Sequence, residues 1–136
     1  MARQHISLRI GSRDRALLQE HADRTGVSAS ELVRRYVAEG IRRDRHPRIT
    51  FVRGRSGGRP TLEGRRLEIA TIIETWRANG RDESAVARYH DVRPEDVRAA
   101  LDYYAEFRAE VDASLEEARR VGEHYEARAR ARSQIA

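Results

Sequence analysis

Apolar and polar residues alternate from residue 3 to residue 10, as they do in a β-strand with one buried face. The apolar face consists of Ile6, Leu8 and Ile10, and the polar face consists of Arg3, His5, Ser7 and Arg9. Side chains of a strand switch faces at every residue, so the two sets are separated. No second strand follows nearby, and a lone strand leaves its backbone groups unpaired. The pattern therefore predicts a homodimer, in which two copies of this strand form a ribbon.

Two amphipathic helices are predicted directly after the strand. Ser12 is the expected N-cap of the first helix, and Gly26 is expected to end it in a left-handed conformation. Residues 28–31 have the sequence of a capping box that opens the second helix, and Pro47 marks the end of that helix.

The polar ribbon face and the second helix both carry groups that suit DNA. A paired ribbon fits the major groove, where Arg9 can donate two hydrogen bonds to guanine and Arg3, His5 and Ser7 reach other base edges. The start of the second helix, at Ser28, Ala29 and Ser30, presents backbone N–H groups that can bind a phosphate. The alternative interpretations are an ordinary solvated strand face and plain helix capping.

The segments His5 to Ile10 and Thr25 to Arg34 closely resemble the ribbon-helix-helix repressors, which are dimeric DNA-binding proteins. The resemblance implies that His5, Ser7 and Arg9 read bases and that Ser28 and Ser30 clamp the DNA backbone. It covers about the first third of the chain.

Charge is unevenly distributed along the chain. The net charge is +5 and the pI is about 10.3, but residues 1–60 hold 14 Arg against 6 acidic residues and residues 61–136 hold 13 against 16. Only the N-terminal part is therefore expected to attract a polyanion. Residues 42–59 hold seven Arg and one Asp, so they are either a solvated basic run or a set of nonspecific contacts to the DNA backbone.

Composition argues against an enzyme. The chain has neither Lys nor Cys, which excludes lysine-dependent phosphate loops and thiol chemistry and agrees with a reducing cytoplasm. Its five His are scattered, so we expect no metal site and no cofactor. No apolar run approaches the ~18 residues of a membrane span, and no signal peptide opens the chain.

A second domain is predicted from residue 46 onward. Residues 49–52 are a candidate strand, residues 57–60 a turn and residues 61–62 a second extended piece, which together form a small hairpin. Three short helices follow, separated by Asn79-Gly80 and Asp82 and by Pro94. They suggest a helix-turn-helix-like bundle that either binds DNA or serves packing and dimerisation.

Residues 48–106 are similar to the domain of unknown function 433. The similarity rests on Gly57-Gly58-Arg59-Pro60, on Gly64-Arg65-Arg66, and on the run from Pro94 to Leu101. It implies a VapB-type antitoxin that binds and silences a PIN-like ribonuclease toxin.

The C-terminal residues continue an apolar spacing of four and three, which predicts that the third helix of this domain extends far beyond it. The spaced residues are Val97, Leu101, Tyr104, Val111, Leu115, Ala118, Tyr125 and Ala129. Such a seam needs a partner, either the other protomer or a toxin groove. The candidate toxin-binding residues are Arg119, Arg120, Tyr125, Arg128, Arg130 and Arg132, whose guanidinium groups can pair with the carboxylates of a nuclease site. The alternative is a solvated terminal helix.

These patterns predict a mostly α protein. Its expected parts are a ribbon-helix-helix domain at 1–45, a helical antitoxin-type domain with a short hairpin at 46–108, and a long helical tail at 109–136. The expected function is that of a type II antitoxin, a cytoplasmic homodimer that represses its own operon by binding double-stranded operator DNA and neutralises a PIN-like toxin. Whether dimers join into tetramers is open. The alternative is a stand-alone repressor whose second domain serves oligomerisation or ligand sensing.

Overall fold

The computed structural model describes residues 3–54 and 57–135, and within them it contains six helices and one two-stranded antiparallel sheet. The helices are α1 (Ser12–Thr25), α2 (Ala29–Arg45), α3 (Ile69–Ala78), α4 (Glu83–His90), α5 (Pro94–Glu106) and α6 (Arg108–Ser133), and the strands are β1 (Ile49–Gly54) and β2 (Gly57–Leu62). The chain divides into two compact units, Met1–Gly40 and Ile41–Ala136. The mostly α architecture predicted from the sequence is confirmed.

The N-cap of helix α1 lies one residue earlier than the sequence predicted. Gly11 occupies the N-cap position with φ −61° and ψ 149°, and no side chain caps the helix. The prediction of Ser12 as the N-cap is therefore wrong, because Ser12 already has helical geometry. The prediction for the other end is confirmed: Gly26 has φ 71° and donates its N–H to the Ala22 carbonyl at 2.9 Å. Glycine adopts this left-handed conformation without a steric penalty.

Helix α2 begins after Ser28, as predicted, but only half of the capping box forms. The Ser28 hydroxyl accepts a hydrogen bond from the Glu31 N–H at 3.1 Å. The Glu31 carboxylate pairs instead with Arg34 at 3.0 Å. A charged partner one turn along the helix competes successfully with the neutral backbone donor of the cap.

The predicted hairpin is present and is longer than expected. Strand β1 pairs with β2 in a register that joins Ile49 to Leu62 and Gly54 to Gly57. Residues 57–60, predicted as a turn, therefore belong to a strand, and the connection at 55–56 lies outside the described residues. Ile49 and Leu62 are both buried in the core. Burial of this pair stabilises strand pairing, which continues into residues 57–60 even though their glycines favour a turn.

Helices α3, α4 and α5 form, and they are separated at the helix-breaking and helix-capping residues that the sequence indicated. Asn79 follows α3 and Gly80 has φ 63°. The Asp82 carboxylate accepts from the N–H groups of Ser84 at 3.0 Å and Ala85 at 3.3 Å, and Pro94 is the first residue of α5. Their inward faces form one apolar core with the hairpin, to which the fully buried residues Ile69, Ile72, Ile73, Val86, Val97, Ala100 and Tyr103 belong.

Tyr103 is the aromatic centre of the second unit. Its ring, fully buried on α5, packs against His46 at a centroid distance of 5.2 Å, Phe51 at 6.5 Å and Phe107 at 5.0 Å. These three rings come from the end of α2, from β1 and from the junction of α5 with α6. One side chain thus fixes the position of four elements.

The prediction that α5 continues into the tail as one helix is wrong, because the helix is interrupted at one residue. Phe107 has φ −118° and ψ 42° and separates α5 from α6. Its ring turns into the core, where it packs on Tyr103, and the Arg42 guanidinium lies 4.3 Å from its centroid. The spacing of the seam is kept across the break, so Val111 is buried and Leu115 packs on the core. The side chains of residues 117–133 are exposed.

None of the helices in the described ranges is both long and apolar enough to cross a lipid bilayer.

Asp96 ties the start of the hairpin to the start of α5. Its carboxylate accepts from the Arg93 N–H at 3.2 Å and from the Arg48 guanidinium at 3.2 Å. Burial disfavours the charged carboxylate, but the hydrogen bonds and charge of Arg93, with the charge of Arg48, outweigh burial and lower the pKa of Asp96. Because the folded-state pKa is depressed, this contribution to stability is present above the unfolded pKa and is lost as the pH falls through the folded one.

We expect Asp96→Asn to lower the free energy of unfolding by about 1 kcal/mol at pH 7. The gap to the wild-type protein should close between about pH 5 and pH 2. Urea unfolding followed by the fluorescence of Trp76, the single tryptophan of the chain and a residue packed against the core of the second unit, measures this gap. The control is Asp102→Asn, an exposed carboxylate of the same helix that has no ion pair within the described residues. A gap for Asp96→Asn that is independent of pH would contradict the assignment.

Candidate nucleic-acid interface

Residues 3–11 precede α1 and form neither helix nor strand within a single chain. Two side chains of the predicted base-reading face nevertheless meet, since the His5 Nε2 and the Ser7 Oγ lie 3.0 Å apart. Side chains two residues apart share a side only when the backbone is extended. This contact places His5 and Ser7 on one side, and all four candidate base-reading residues, Arg3, His5, Ser7 and Arg9, are exposed.

The opposite face of this segment leaves large apolar side chains in water. The exposed fraction is 78% for Ile6, 62% for Leu8 and 45% for Ile10. Leu17 of α1 and Val37 of α2 are exposed as well. Leaving such side chains in water forgoes about 1.5 to 3 kcal/mol each relative to full burial.

The core of the first unit is very small. Among its described residues only Ala22 and Leu32 are buried. Two helices with a core of this size cannot offset the conformational entropy of folding without further apolar contacts. The first unit therefore leaves large apolar side chains in water around a core of two buried residues.

The start of α2 carries the three candidate phosphate-binding residues. The first helical hydrogen bond runs from the Leu32 N–H to the Ser28 carbonyl at 3.0 Å. The N–H groups of Ala29 and Ser30 precede it and lie in the first turn, where a helix offers no backbone acceptor. Ser28 and Ser30 are exposed and Ala29 is half-buried. An anion could reach these donors, and the helix dipole would stabilise it.

Four of the seven arginines in the basic run at 42–59 form ion pairs within the second unit. Arg42 pairs with Glu110 at 3.0 Å, and Arg48 pairs with Asp96 and Arg59 with Glu68, both at 3.2 Å. Arg45 pairs with Glu106. The acidic partners are more than 8 residues away in sequence, so local charge counting could not find them. These arginines are consequently weaker candidates for contacts to the DNA backbone than the sequence suggested.

The six candidate toxin-binding residues all lie on the exposed part of α6. Arg119 pairs with Glu116 at 2.6 Å and also with Glu123, and Arg120 pairs with Glu116 at 3.4 Å. Arg128, Arg130 and Arg132 have no ion pair within the described ranges. The pairs of Arg119 and Arg120 follow helical spacing and were readable from the sequence.

A groove between α3 and α6 was not predicted from any sequence motif. It has a volume of about 280 Å³, and its lining includes Ala70 and Glu74 of α3 and Leu115, Ala118 and Val121 of α6. A second cleft, of about 370 Å³, lies between the start of the hairpin and α5 and is lined by charges of both signs. Both depend on helices that are distant in sequence, so no local motif could reveal them.

Comparison with known proteins finds a similarity over one part of the chain. Residues 49–104 match the model of a family described as a protein of unknown function, DUF433. The match covers the hairpin, α3, α4 and most of α5, and it confirms the resemblance found for this segment. Neither the curated proteins nor the solved structures give a match to the chain.

Substitution of Ser28 and substitution of Ser30 are expected to affect helix stability differently, although both residues are candidate phosphate ligands. Ser28→Ala removes the hydroxyl that accepts from the Glu31 N–H, and we expect about 1 kcal/mol of local stability to be lost. Hydrogen exchange at the first turn of α2 should therefore accelerate about fivefold in the protein without DNA. Ser30→Ala is the matched control and should leave exchange unchanged. Equal rates in the two variants would contradict the capping role of Ser28.

Proposed function

We propose that this protein is a homodimeric DNA-binding regulator, in which residues 3–10 of two copies pair as a ribbon that enters the major groove. The observation that carries the proposal is the exposed apolar face of Ile6, Leu8 and Ile10. It lies directly behind a basic polar face on a unit with almost no core of its own.

Pairing two copies supplies what one copy lacks. A paired ribbon satisfies backbone N–H and C=O groups along both strands. Laid on the helices of both copies, its apolar face would remove Ile6, Leu8 and Ile10 from water together with Leu17 and Val37. The hydrophobic effect then stabilises the dimer and the fold in one step.

The opposite face supports DNA as the ligand. Once the apolar side chains are covered, Arg3, His5, Ser7 and Arg9 are the groups that remain on the ribbon surface. Arg9 can donate two hydrogen bonds to guanine, and the first turn of α2 can bind a phosphate on either side of the groove. The surplus of arginine in residues 1–60 favours a polyanionic partner.

Antitoxin activity is the second candidate function of the chain. Two observations favour it: residues 49–104 match DUF433, the family whose resemblance suggested an antitoxin, and the last turns of α6 are exposed with three arginines that lack ion pairs in the described chain. In this proposal the N-terminal unit represses the operon and α6 binds a PIN-like ribonuclease. A stand-alone repressor, whose second unit serves oligomerisation or ligand sensing, is the competing proposal.

Arg9→Ala should abolish sequence preference and retain weak, salt-sensitive binding. A bidentate contact to guanine contributes about 1 to 3 kcal/mol of discrimination, so the preference for a duplex selected from a random library by the wild-type protein should fall about 10- to 100-fold. Arg88→Ala, on the exposed surface of α4, is the matched control and should bind like the wild-type protein. An unchanged selected sequence for Arg9→Ala would exclude the ribbon as the reading element.

The antitoxin proposal is tested by expressing the adjacent reading frame with and without this chain. We expect the adjacent product to arrest growth when expressed alone and to co-purify with the full-length protein when both are present. A variant with Arg128, Arg130 and Arg132 replaced by Ala should protect less well. A product that neither binds nor arrests growth leaves the stand-alone repressor as the better proposal.

A further inference from the structure

The groove between α3 and α6 is lined by apolar and charged residues. Ala70, Leu115, Ala118 and Val121 provide apolar surface, and Arg59 and Glu68 pair with each other. Glu74 and Glu117 are the other charged lining residues and are called its acidic rim here. Both glutamates are exposed and neither has an ion pair in the part of the chain that the structure describes. A segment that is apolar on one side and basic at its edge would complement this groove.

The same face of α6 continues beyond the groove and changes its charge. Ala118, Val121, Tyr125, Arg128 and Arg132 are separated by steps of three and four residues, so they follow one stripe along the helix. The exposed fraction is 48% for Val121 and 64% for Tyr125. The stripe is therefore acidic and apolar where it lines the groove, and aromatic and basic towards its C-terminal end.

On the opposite face of α6, charged residues near the middle of the helix pair with one another. Arg119 forms ion pairs with Glu116 and Glu123, which lie on the same helix. Arg128 and Arg132, in contrast, have no ion pair within the described residues. Unpaired acidic and basic groups are thus present at the two ends of this stripe, whereas Arg130, also without an ion pair in the described ranges, lies on another face.

We propose that this stripe packs against the same stripe of a second copy, with the two α6 helices antiparallel. A two-fold axis close to Glu123 would place Tyr125, Arg128 and Arg132 of each copy against the groove of the other. Both grooves are filled at once, as a two-fold interface requires. Arg128 and Arg132 would then face Glu74 and Glu117, and the apolar surfaces of Val121 and Tyr125 would cover each other.

One feature of α6 agrees with this arrangement. Gly122, next to the axis, has no Cβ, and one built there meets nothing within 4 Å. Two helices can therefore approach closely at this point.

Pairing of α6 does not depend on DNA binding by the first unit. It uses Tyr125, Arg128 and Arg132 for contacts between copies, so a toxin bound at these residues would compete with the second copy. Arg119, Arg120 and Arg130 lie on other faces and stay accessible. If residues 3–10 also pair, each chain has two self-complementary surfaces, and the interface at α6 can still be detected separately.

Engineered cysteines test the arrangement directly, because the full-length chain has none. In an antiparallel pair with its axis between Glu123 and His124, Ala118 of one copy lies opposite Ala129 of the other. The distance between the two copies of Ala118 is roughly 15 Å along the helix, whereas a disulfide needs Cα atoms within about 7 Å. We expect the double variant Ala118→Cys/Ala129→Cys to form a covalent dimer in a glutathione redox buffer, and each single variant to stay monomeric on a non-reducing gel.

The matched control is Ala118→Cys/Ala127→Cys, because Ala127 lies on another face of α6. It should crosslink no faster than the single variants. Rapid crosslinking of the single variants would indicate parallel helices, and failure of the first double variant to crosslink would exclude the pairing. Either result would overturn the proposal, whatever the outcome of the DNA-binding experiment.

Charge reversal tests the role of the rim. In the Ala118→Cys/Ala129→Cys background, Arg128→Glu with Arg132→Glu should slow crosslinking about fivefold, because like charges then meet. Adding Glu74→Arg and Glu117→Arg should restore the rate. Circular dichroism of each variant checks that helix content is unchanged. A rate that stays slow in the fully reversed variant would show that the two charged ends do not meet, and would refute the pairing.

Discussion

The ring of Tyr103 is the contact on which the second unit depends. It touches aromatic rings from the end of α2, from β1 and from the α5–α6 junction, so it determines where the hairpin lies and where the chain turns after α5. The turn at Phe107 in turn directs α6 across α3 and creates the groove between them. A buried side chain with no chemical role thus sets the geometry of the surface proposed to pair with a second copy.

The first unit, in contrast, has among its described residues no large buried side chain at its centre comparable to Tyr103. Its helices begin and end at well-defined residues, yet only Ala22 and Leu32 are buried. Secondary structure is specified locally, whereas the proposed dimer would supply the apolar contacts that the unit itself lacks. For this reason folding and association of residues 3–40 are expected to be a single process, and the concentration of the protein should influence the stability of its N-terminal part.

The sequence predicted elements well where one residue type has a strong conformational preference. Gly26, Asp82 and Pro94 marked helix ends correctly because each acts on the backbone within a few residues. The predictions for Ser12 and for residues 57–60 were wrong. Ser12 already has helical geometry, and residues 57–60 pair with a strand that begins eight residues earlier. The break at Phe107 could not be predicted, because periodicity is kept on both sides of it and the cause is a ring that turns into a distant core.

The same distinction applies to the candidate sites. The polar and apolar faces of residues 3–10 follow from a period of two and could be assigned from the sequence alone. The neutralisation of Arg42, Arg45, Arg48 and Arg59 could not, because their carboxylate partners come from elements elsewhere in the chain. Charge counted along a sequence overstates the charge that a folded surface presents.

The ion pairs along α6 have a consequence for the speed and thermodynamics of association. Glu116, Arg119 and Glu123 form ion pairs at helical spacing beyond the core, and each such pair favours the helix by about 0.2 to 0.5 kcal/mol. A helix that is formed before association loses little conformational entropy on binding. Association with this helix should therefore resemble docking of preformed surfaces, with a small change in circular dichroism, rather than the coupled folding and binding shown by flexible tails.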